Sequence, residues 1–259
     1  MRRALAEAPA HEVMAWVAQT FKERAALSCS FGGPGGIVLA HMAAQLEPKI
    51  PILFLDTGFL FPQTHALKVR VEREWGLNVL TARPRLSPEE QQEQYGPALW
   101  TRDPDLCCRL RKVEPMKALL RSFDCWVSSI RRDQSSTRAG AELIETHVLD
   151  DGREIVKVNP LIHWTRRDVW AYIAEHNLPY NTLLDEGYTS LGCVQCTRRA
   201  AAEGDERAGR WPGTPKTECG LHTFTRLRME TSPRSEGSRA NSPATQGIPG
   251  SGAKSKGGG

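Results

Sequence analysis

The sequence predicts an α/β fold in which a parallel sheet is flanked by helices. Two observations carry that prediction. Short apolar runs alternate with longer segments of helical character, the succession that builds a parallel sheet covered by helices. The glycine-rich and polar turns fall where those runs end, beyond the carboxyl ends of the strands, where open α/β sheets hold their ligands. With 259 residues, 40% of them apolar, the chain has enough material for the core of one large domain.

Residues 11–23 (HEVMAWVAQTFKE) space Val13, Trp16, Val17 and Phe21 as the inner face of an amphipathic helix. ALSCSF (26–31) is a buried first strand, GGPGG a turn, and IVLAHMAAQL a helix. PILFLDTG (51–58) is the second strand. The following helix has Pro62 in its first turn and Gly76 at its end. LNVLTA (77–82) is a third strand, a helix lies around 112–122, and CWVSSI (125–130) is a fourth strand. Residues 165–177 form a helix with Thr165 as N-cap and Asp168 at N3, a variant of the capping box. Pro179 follows its end. From 231 onward Gly, Ser and Pro supply 16 of 29 residues, so that burial cannot offset the entropy of ordering and a disordered tail is expected.

The formal charge is +4, but residues 231–259 carry +3 of it and leave +1 for the rest. Basicity concentrated in a tail argues against a nucleic-acid partner. The start, MRRALAEAPAHEV, has the charges of an export signal without the apolar run that should follow. No window approaches a membrane span. Seven cysteines, an odd number with CC and CxxC spacings, suit metal or catalytic use better than a disulfide framework. A cytoplasmic protein is expected.

The loop from Ser28 to Gly36 joins the first strand to a helix. Its small residues let backbone N–H groups approach a phosphate at a helix N-terminus. No Lys-Ser/Thr follows, so it is not a Walker A loop, and a plain tight turn is the competing reading. Asp56, Thr57 and Gly58 end the second strand. Arg131 and Arg132 follow the fourth, where two guanidiniums can clamp an anion unless they are only a solvated pair. Cys107, Cys108, Cys193 and Cys196 need a common explanation: a vicinal disulfide, a four-thiolate zinc, or an iron–sulfur cluster. Adjacent cysteines can bind different irons of a cluster, whereas one zinc must accept both at a single centre, so the pair favours a cluster. Cys29 and Cys125 read as buried apolar residues. Cys219 is left over. Lys216, His222, Arg207 and Arg210 lie near it in sequence and would raise its thiolate fraction, the setting of a nucleophile. A structural cysteine in a mobile segment is the plain alternative.

Taken together, LDTG (55–58), CCRLRKVEP (107–115), IRRDQSSTR (130–138), residues 168–198, RAGRW (207–211) and KTECGLH (216–222) resemble the thioredoxin-dependent adenylyl-sulfate reductases of the phosphoadenylyl-sulfate reductase family. The likeness covers roughly residues 11–226. It implies an adenine-nucleotide α-hydrolase-like fold, with a nucleotide-binding reductase domain over 1–226, a flexible catalytic segment at 199–226 and a disordered tail from 227. It also implies a 4Fe–4S cluster on Cys107, Cys108, Cys193 and Cys196, with Cys219 as nucleophile. Ser28, Ser30, Gly32 and Gly33, with Asp56, Thr57 and Gly58, would border the nucleotide. Lys112, Arg131, Arg207, Arg210 and His222 would face the phosphosulfate. Where the family loop often has an acidic residue, this chain has Gly35 and Gly36, so backbone groups are expected to do the cradling.

The function so implied is reduction of adenylyl sulfate to sulfite and AMP by thioredoxin or glutaredoxin in sulfate assimilation, through a cysteine S-sulfonate. The cluster is expected to act without changing its redox state. Residues 200–215 are expected to flex as the segment closes over substrate and opens for the reductant. A homo-oligomer stays open. Competing readings are a reductase of the 3′-phosphorylated substrate, an ATP-dependent ligase or tRNA-thiolating enzyme of the same fold, and a zinc-stabilised adaptor. The ligase leaves KTECGLH without a role. The adaptor leaves the glycine loop and Cys219 unexplained.

Overall fold

The computed structural model describes residues 5, 7–200 and 205–228. The expected disordered tail from 231 lies outside them, as do 201–204 of the segment expected to flex. Five strands form the parallel part of the sheet: β1 (Ala25–Ser28), β2 (Ile52–Leu55), β3 (Val79–Ala82), β4 (Cys125–Val127) and β6 (Glu154–Val158). Two more, β5 (Ile144–Val148) and β7 (Arg226–Leu227), run antiparallel to their neighbours. The order across the sheet is β3-β2-β1-β4-β6-β5-β7. The expected parallel α/β sheet is therefore present, extended at one edge by a hairpin and by the end of the compact unit, which runs to Arg228.

β1, β2 and β4 are almost wholly buried. Central parallel strands covered on both faces need side chains that tolerate burial on both, which is why they read as continuous apolar runs. α1 (Ala10–Phe21) buries Val13, Met14 and Val17. α2 (Pro34–Ala44) is buried along nearly its whole length. With the inner residues of β1, β2 and β4 they form the larger core. α3 (Pro62–Trp75) starts at Pro62 and ends on Gly76 at φ 60°, a left-handed cap that glycine adopts without a Cβ clash. On the other face Trp126, Met116, Leu120 and Ile155 form a second core.

Between β3 and β4 the chain runs through α4 (Pro88–Tyr95), the short turns α5 (Leu99–Arg102) and α6 (Pro104–Cys108), and α7 (Glu114–Leu120). α6 and α7 are joined by a π turn over Arg109–Val113. Such turns insert a residue into a helix and rotate the side chains that follow, and they recur at functional sites. Here the π turn holds Arg111 and Lys112, both buried. α8 (Arg166–Glu175) has the expected capping box: Thr165 Oγ1 accepts from Asp168 N–H and Asp168 Oδ2 accepts from Thr165 N–H.

Candidate active site

A cavity of about 200 Å³ opens beyond the carboxyl ends of β1, β2 and β4. Ser28, Ser30 and Gly33 of the first loop form one wall, with Leu55 and Thr57 from the end of β2. Phe31 in that loop takes φ 51°, unusual for a bulky residue, and is held there by burial against Phe54, ring centroids 5.5 Å apart. Lys112, Arg207 and Arg210 supply cations to the cavity, and Cys219 and His222 complete it.

Three residues of the IRRDQSSTR motif also line the cavity, Ile130, Gln134 and Arg138, and sequence reading assigned none of them to the site. Arg131, expected to face the phosphosulfate, is not among the lining residues. Its guanidinium is 1% exposed and spent on two carboxylates, donating to Asp133 Oδ1 at 2.9 Å and Glu206 Oε1 at 2.7 Å. Arg132 donates to Ala141 O and Glu142 Oε2. The motif's cation at the cavity is thus its last arginine, and its first ties the loop to Glu206. Gly32, Asp56 and Gly58 also lie off the lining. Asp56 accepts from Gly58 N–H and pairs with Arg83 at 3.3 Å, so it shapes the turn at the end of β2.

Cys219 is half-buried. Burial opposes its thiolate, but Lys112, the Leu221 N–H, Arg210 and Arg207 together outweigh it and hold the thiol below its ordinary pKa. Lys112 is buried, which disfavours its ammonium. Cys193, Cys219 and Cys108 around it more than reverse that and raise it to about 12, so it stays charged at neutral pH. Arg207 is pulled down to about 10 by burial and by Arg138, and remains cationic. His222 goes the other way: burial and the charges of Lys157, Arg138 and Arg207 push it well below 6.5. It is a neutral imidazole, stacked on Trp126 at 5.3 Å, and its Nδ1 has no partner.

Glu218 stands beside Cys219 in the chain. Its Oε1 accepts from Arg138 Nε at 3.0 Å, and its Oε2 from Arg138 Nη2 at 3.3 Å and Arg207 Nη2 at 3.1 Å. One carboxylate therefore bridges two cavity cations. Arg210 is fixed differently, donating to the carbonyls of Leu191 and Cys196 and packing over Trp211 at 4.5 Å. Its guanidinium crosses Gly192 so closely that any Cβ there would collide with it.

The four cysteines of the two motifs line a second, small pocket behind Lys112, walled by Phe59 and Trp100. Burial, the largest influence on each, pushes Cys107 to about 11 and Cys108 to about 12, and raises Cys196. Thr57 Oγ1 lies 3.3 Å from Cys193 Sγ, and Gln91 Nε2 donates weakly to Cys107 Sγ at 3.9 Å. Two buried donors beside these sulfurs have no partner, Arg111 Nη2 and Trp211 Nε1. Unpaired buried donors are costly. A four-thiol pocket flanked by two of them suits an anionic group held by sulfur. Among the described residues no three His, Cys, Asp or Glu are gathered as ligands of a single ion. All seven cysteines are free thiols, and no described helix is long and apolar enough to cross a membrane.

Residues 24–199 match the phosphoadenosine phosphosulfate reductase domain. The chain is 44% identical to an adenosine 5'-phosphosulfate reductase of Halalkalibacterium halodurans, over 86% of this chain and 95% of that one. It is 43% identical to the enzyme of the same name from Streptomyces coelicolor, over 85% and 91%. Among solved structures, the phosphoadenylyl-sulfate reductase of Candida auris in its phosphate complex superposes with a TM-score of 0.66 at 30% identity, covering 76% of this chain and 93% of that one. An α/β sheet with a cation-lined cavity at its strand ends, matched along most of its length by these relatives, places the chain in the phosphoadenosine phosphosulfate reductase family.

Proposed function

We propose that this protein reduces adenylyl sulfate to sulfite and AMP in sulfate assimilation, with Cys219 as nucleophile. One observation carries the reading: a single thiol, held below its ordinary pKa by Lys112, Arg207 and Arg210, faces a cavity bordered by a nucleotide-type loop. Substrate and thiolate are both anions. Two unit charges about 4 Å apart repel by roughly 4 kcal/mol at an effective dielectric of about 20. The cations offset that repulsion and stabilise charge as it builds on the leaving phosphate.

The Cys219 thiolate attacks the sulfuryl sulfur. A sulfur–sulfur bond forms, the bond from that sulfur to the phosphate oxygen breaks, and AMP leaves with the electron pair. The product is Cys219 S-sulfonate. A reductant thiolate then attacks Cys219 Sγ, and sulfite departs with the sulfur–sulfur electron pair. The resulting mixed disulfide is resolved by the reductant's second thiol, which regenerates Cys219. We take that reductant to be thioredoxin or glutaredoxin. A protein thiol reaches Cys219 only when the segment carrying it lifts from the cavity. His222, neutral and with Nδ1 free, is suited to hydrogen-bond the sulfonucleotide without adding charge. Such thiol chemistry belongs in a reducing compartment, the cytoplasm.

Cys107, Cys108, Cys193 and Cys196 would hold a 4Fe–4S cluster. Bound there it would supply charge and rigidity beside Lys112, since thiols provide both electrons. The support is the donor set, four thiols from two segments with two buried donors that lack partners, Arg111 Nη2 and Trp211 Nε1, in the same neighbourhood. Anaerobically purified protein is expected to contain about four irons and four acid-labile sulfides per chain. Zinc in place of iron would refute the cluster.

The decisive assay supplies adenylyl sulfate and a dithiol reductant and measures sulfite. Wild type is expected to release it, and Cys219→Ser to release none while still binding AMP. Sulfite release by the serine variant would end this reading. Faster turnover of the 3′-phosphorylated substrate would reassign the specificity.

A further inference from the structure

The sheet edge beneath the catalytic segment buries a set of polar groups that the chemistry above does not use. β5 and β6 place Glu145 opposite Lys157, with Lys157 Nζ 3.2 Å from Glu145 Oε2. The same oxygen lies 3.0 Å from His147 Nε2. His147 Nδ1 lies 2.7 Å from the hydroxyl of Thr225, six residues beyond Cys219. Exposure is 9% for Glu145, 3% for Lys157, 5% for His147 and 7% for Thr225. Burial works against the Glu145 carboxylate, but His147, Lys157 and the Glu142 N–H outweigh it and hold it at about 2. It can only accept, so His147 carries its proton on Nε2 and, in the neutral ring, takes the Thr225 O–H on Nδ1.

A carboxylate, an imidazole and a hydroxyl in line are the parts of a hydrolytic relay. Thr225, though, lines none of the described cavities and is buried. Its place in the chain gives a mechanical reading. Downstream, β7 pairs with β5, His147 opposite Leu227, and Arg228 N–H donates to Thr146 O at 2.8 Å. Upstream, three residues away, His222 stacks on Trp126. That indole has the Lys157 ammonium 5.3 Å from its centroid and donates from Nε1 to Ser28 Oγ at 2.8 Å. The polar set therefore sits between the nucleotide loop and the segment that carries the thiol.

We propose that His147, oriented by Glu145 and Lys157, is a positioning residue that fixes the C-terminal segment through the Thr225 hydroxyl and so aims Cys219 at the cavity. The proposal rests on the reading that Cys219 is the nucleophile. Its test compares Thr225→Val, which keeps the shape and loses the hydroxyl, with Thr225→Ser, which keeps the hydroxyl. Both full-length proteins are assayed for kcat and KM with adenylyl sulfate, for AMP binding, and for hydrogen exchange of amides 219–228. Losing one buried hydrogen bond and leaving Nδ1 unpaired is expected to lower kcat about tenfold in T225V and to speed exchange of those amides by a similar factor. KM and AMP binding should stay within about twofold, a factor well below one unpaired buried group. T225S should restore both kcat and exchange. T225V indistinguishable from wild type, or T225S failing alongside it, overturns the anchor. Were wild type to make no sulfite, the functional reading would fall, and the exchange comparison would still decide the anchor alone.

Discussion

Removing the charge of Glu218 tests whether the cavity arginines also hold Cys219 in place. Glu218 joins Arg138 of the loop after β4 to Arg207 of the C-terminal segment, through three contacts between 3.0 and 3.3 Å. The side chains are 13–15% exposed, so solvent screens them only in part. Each pair is worth about 4 kcal/mol gross at an effective dielectric near 20. Desolvation takes back most of that, yet removing one partner of a buried pair still costs about 3–5 kcal/mol, because the other charge is left uncompensated. Glu218→Gln keeps the length and one acceptor oxygen, and solvent or substrate can satisfy the freed guanidiniums. A loss of about 1.5–3 kcal/mol in holding the segment is expected, or 10–100-fold in kcat/KM with adenylyl sulfate. AMP binding should move the other way or not at all, since two cations lose an internal competitor. Steady-state sulfite release gives the first quantity and calorimetry with AMP the second. A kcat/KM within threefold of wild type would show that Glu218 does not position Cys219. A parallel loss of AMP affinity would show that it acts only by shaping the pocket.

The Cys219 thiol lies below its ordinary pKa because of Lys112, Arg210 and Arg207, so iodoacetamide should label it with a pH midpoint below that of a free cysteine, and Lys112→Met should move that midpoint upward. An unchanged midpoint in K112M would remove Lys112 from the thiol's surroundings. Gly192→Ala places a methyl where the Arg210 guanidinium lies; activity should fall by about tenfold or more with the melting temperature little changed, since one displaced transition-state cation costs a few kcal/mol. Equal activity would mean Arg210 reaches the cavity by another path. The Glu145 carboxyl is held at about 2, below its ordinary 4.5, so its stabilisation is complete above the ordinary value and lost as pH falls from there toward 2. The full shift corresponds to about 3 kcal/mol. Urea midpoints taken between pH 6 and 3 should fall more steeply in wild type than in Glu145→Gln, and parallel curves would refute it.

β1, β2 and β4 were legible because they are almost wholly buried and so read as plain apolar runs, and Gly76 and Thr165 marked helix ends through their own local chemistry. The β5–β6 hairpin was not read. Its strand IETHV carries Glu145 and His147 on one face, polar groups that look solvent-facing until Lys157 and Thr225 come to meet them. The turn did signal itself, for Gly152 takes φ 82° after two aspartates. β4 is shorter than expected, ending at Val127, and the ordered chain continues through Leu227, where the tail was expected to begin. Of the residues singled out by motif, Lys112, Arg207, Arg210, Cys219 and His222 line the cavity, and Cys107, Cys108, Cys193 and Cys196 line the second pocket. Motif reading chose Arg131 over Arg138 because a guanidinium's worth depends on what else pairs with it. Arg131 pairs with Asp133 and also with Glu206, 75 residues away.

Lys112 shows why the two sulfur sites adjoin. It lines both the large cavity and the cysteine pocket, and Cys193, Cys108 and Cys219 all raise its affinity for its proton. One buried ammonium is thus shared between the cysteines of the second pocket and Cys219 of the cavity. Adding negative charge to the cysteine pocket draws on the cation that lowers the Cys219 pKa, and neutralising it releases that cation toward the thiolate. Thr57 spans the same boundary, lining the cavity while its hydroxyl touches Cys193 and its carbonyl accepts from Arg111 Nη1 at 2.9 Å. The charge state of the cysteine pocket is therefore readable at Cys219 without any electron passing between them. A charged group bound there would act on the Cys219 thiol through Lys112, the cation that both sites share.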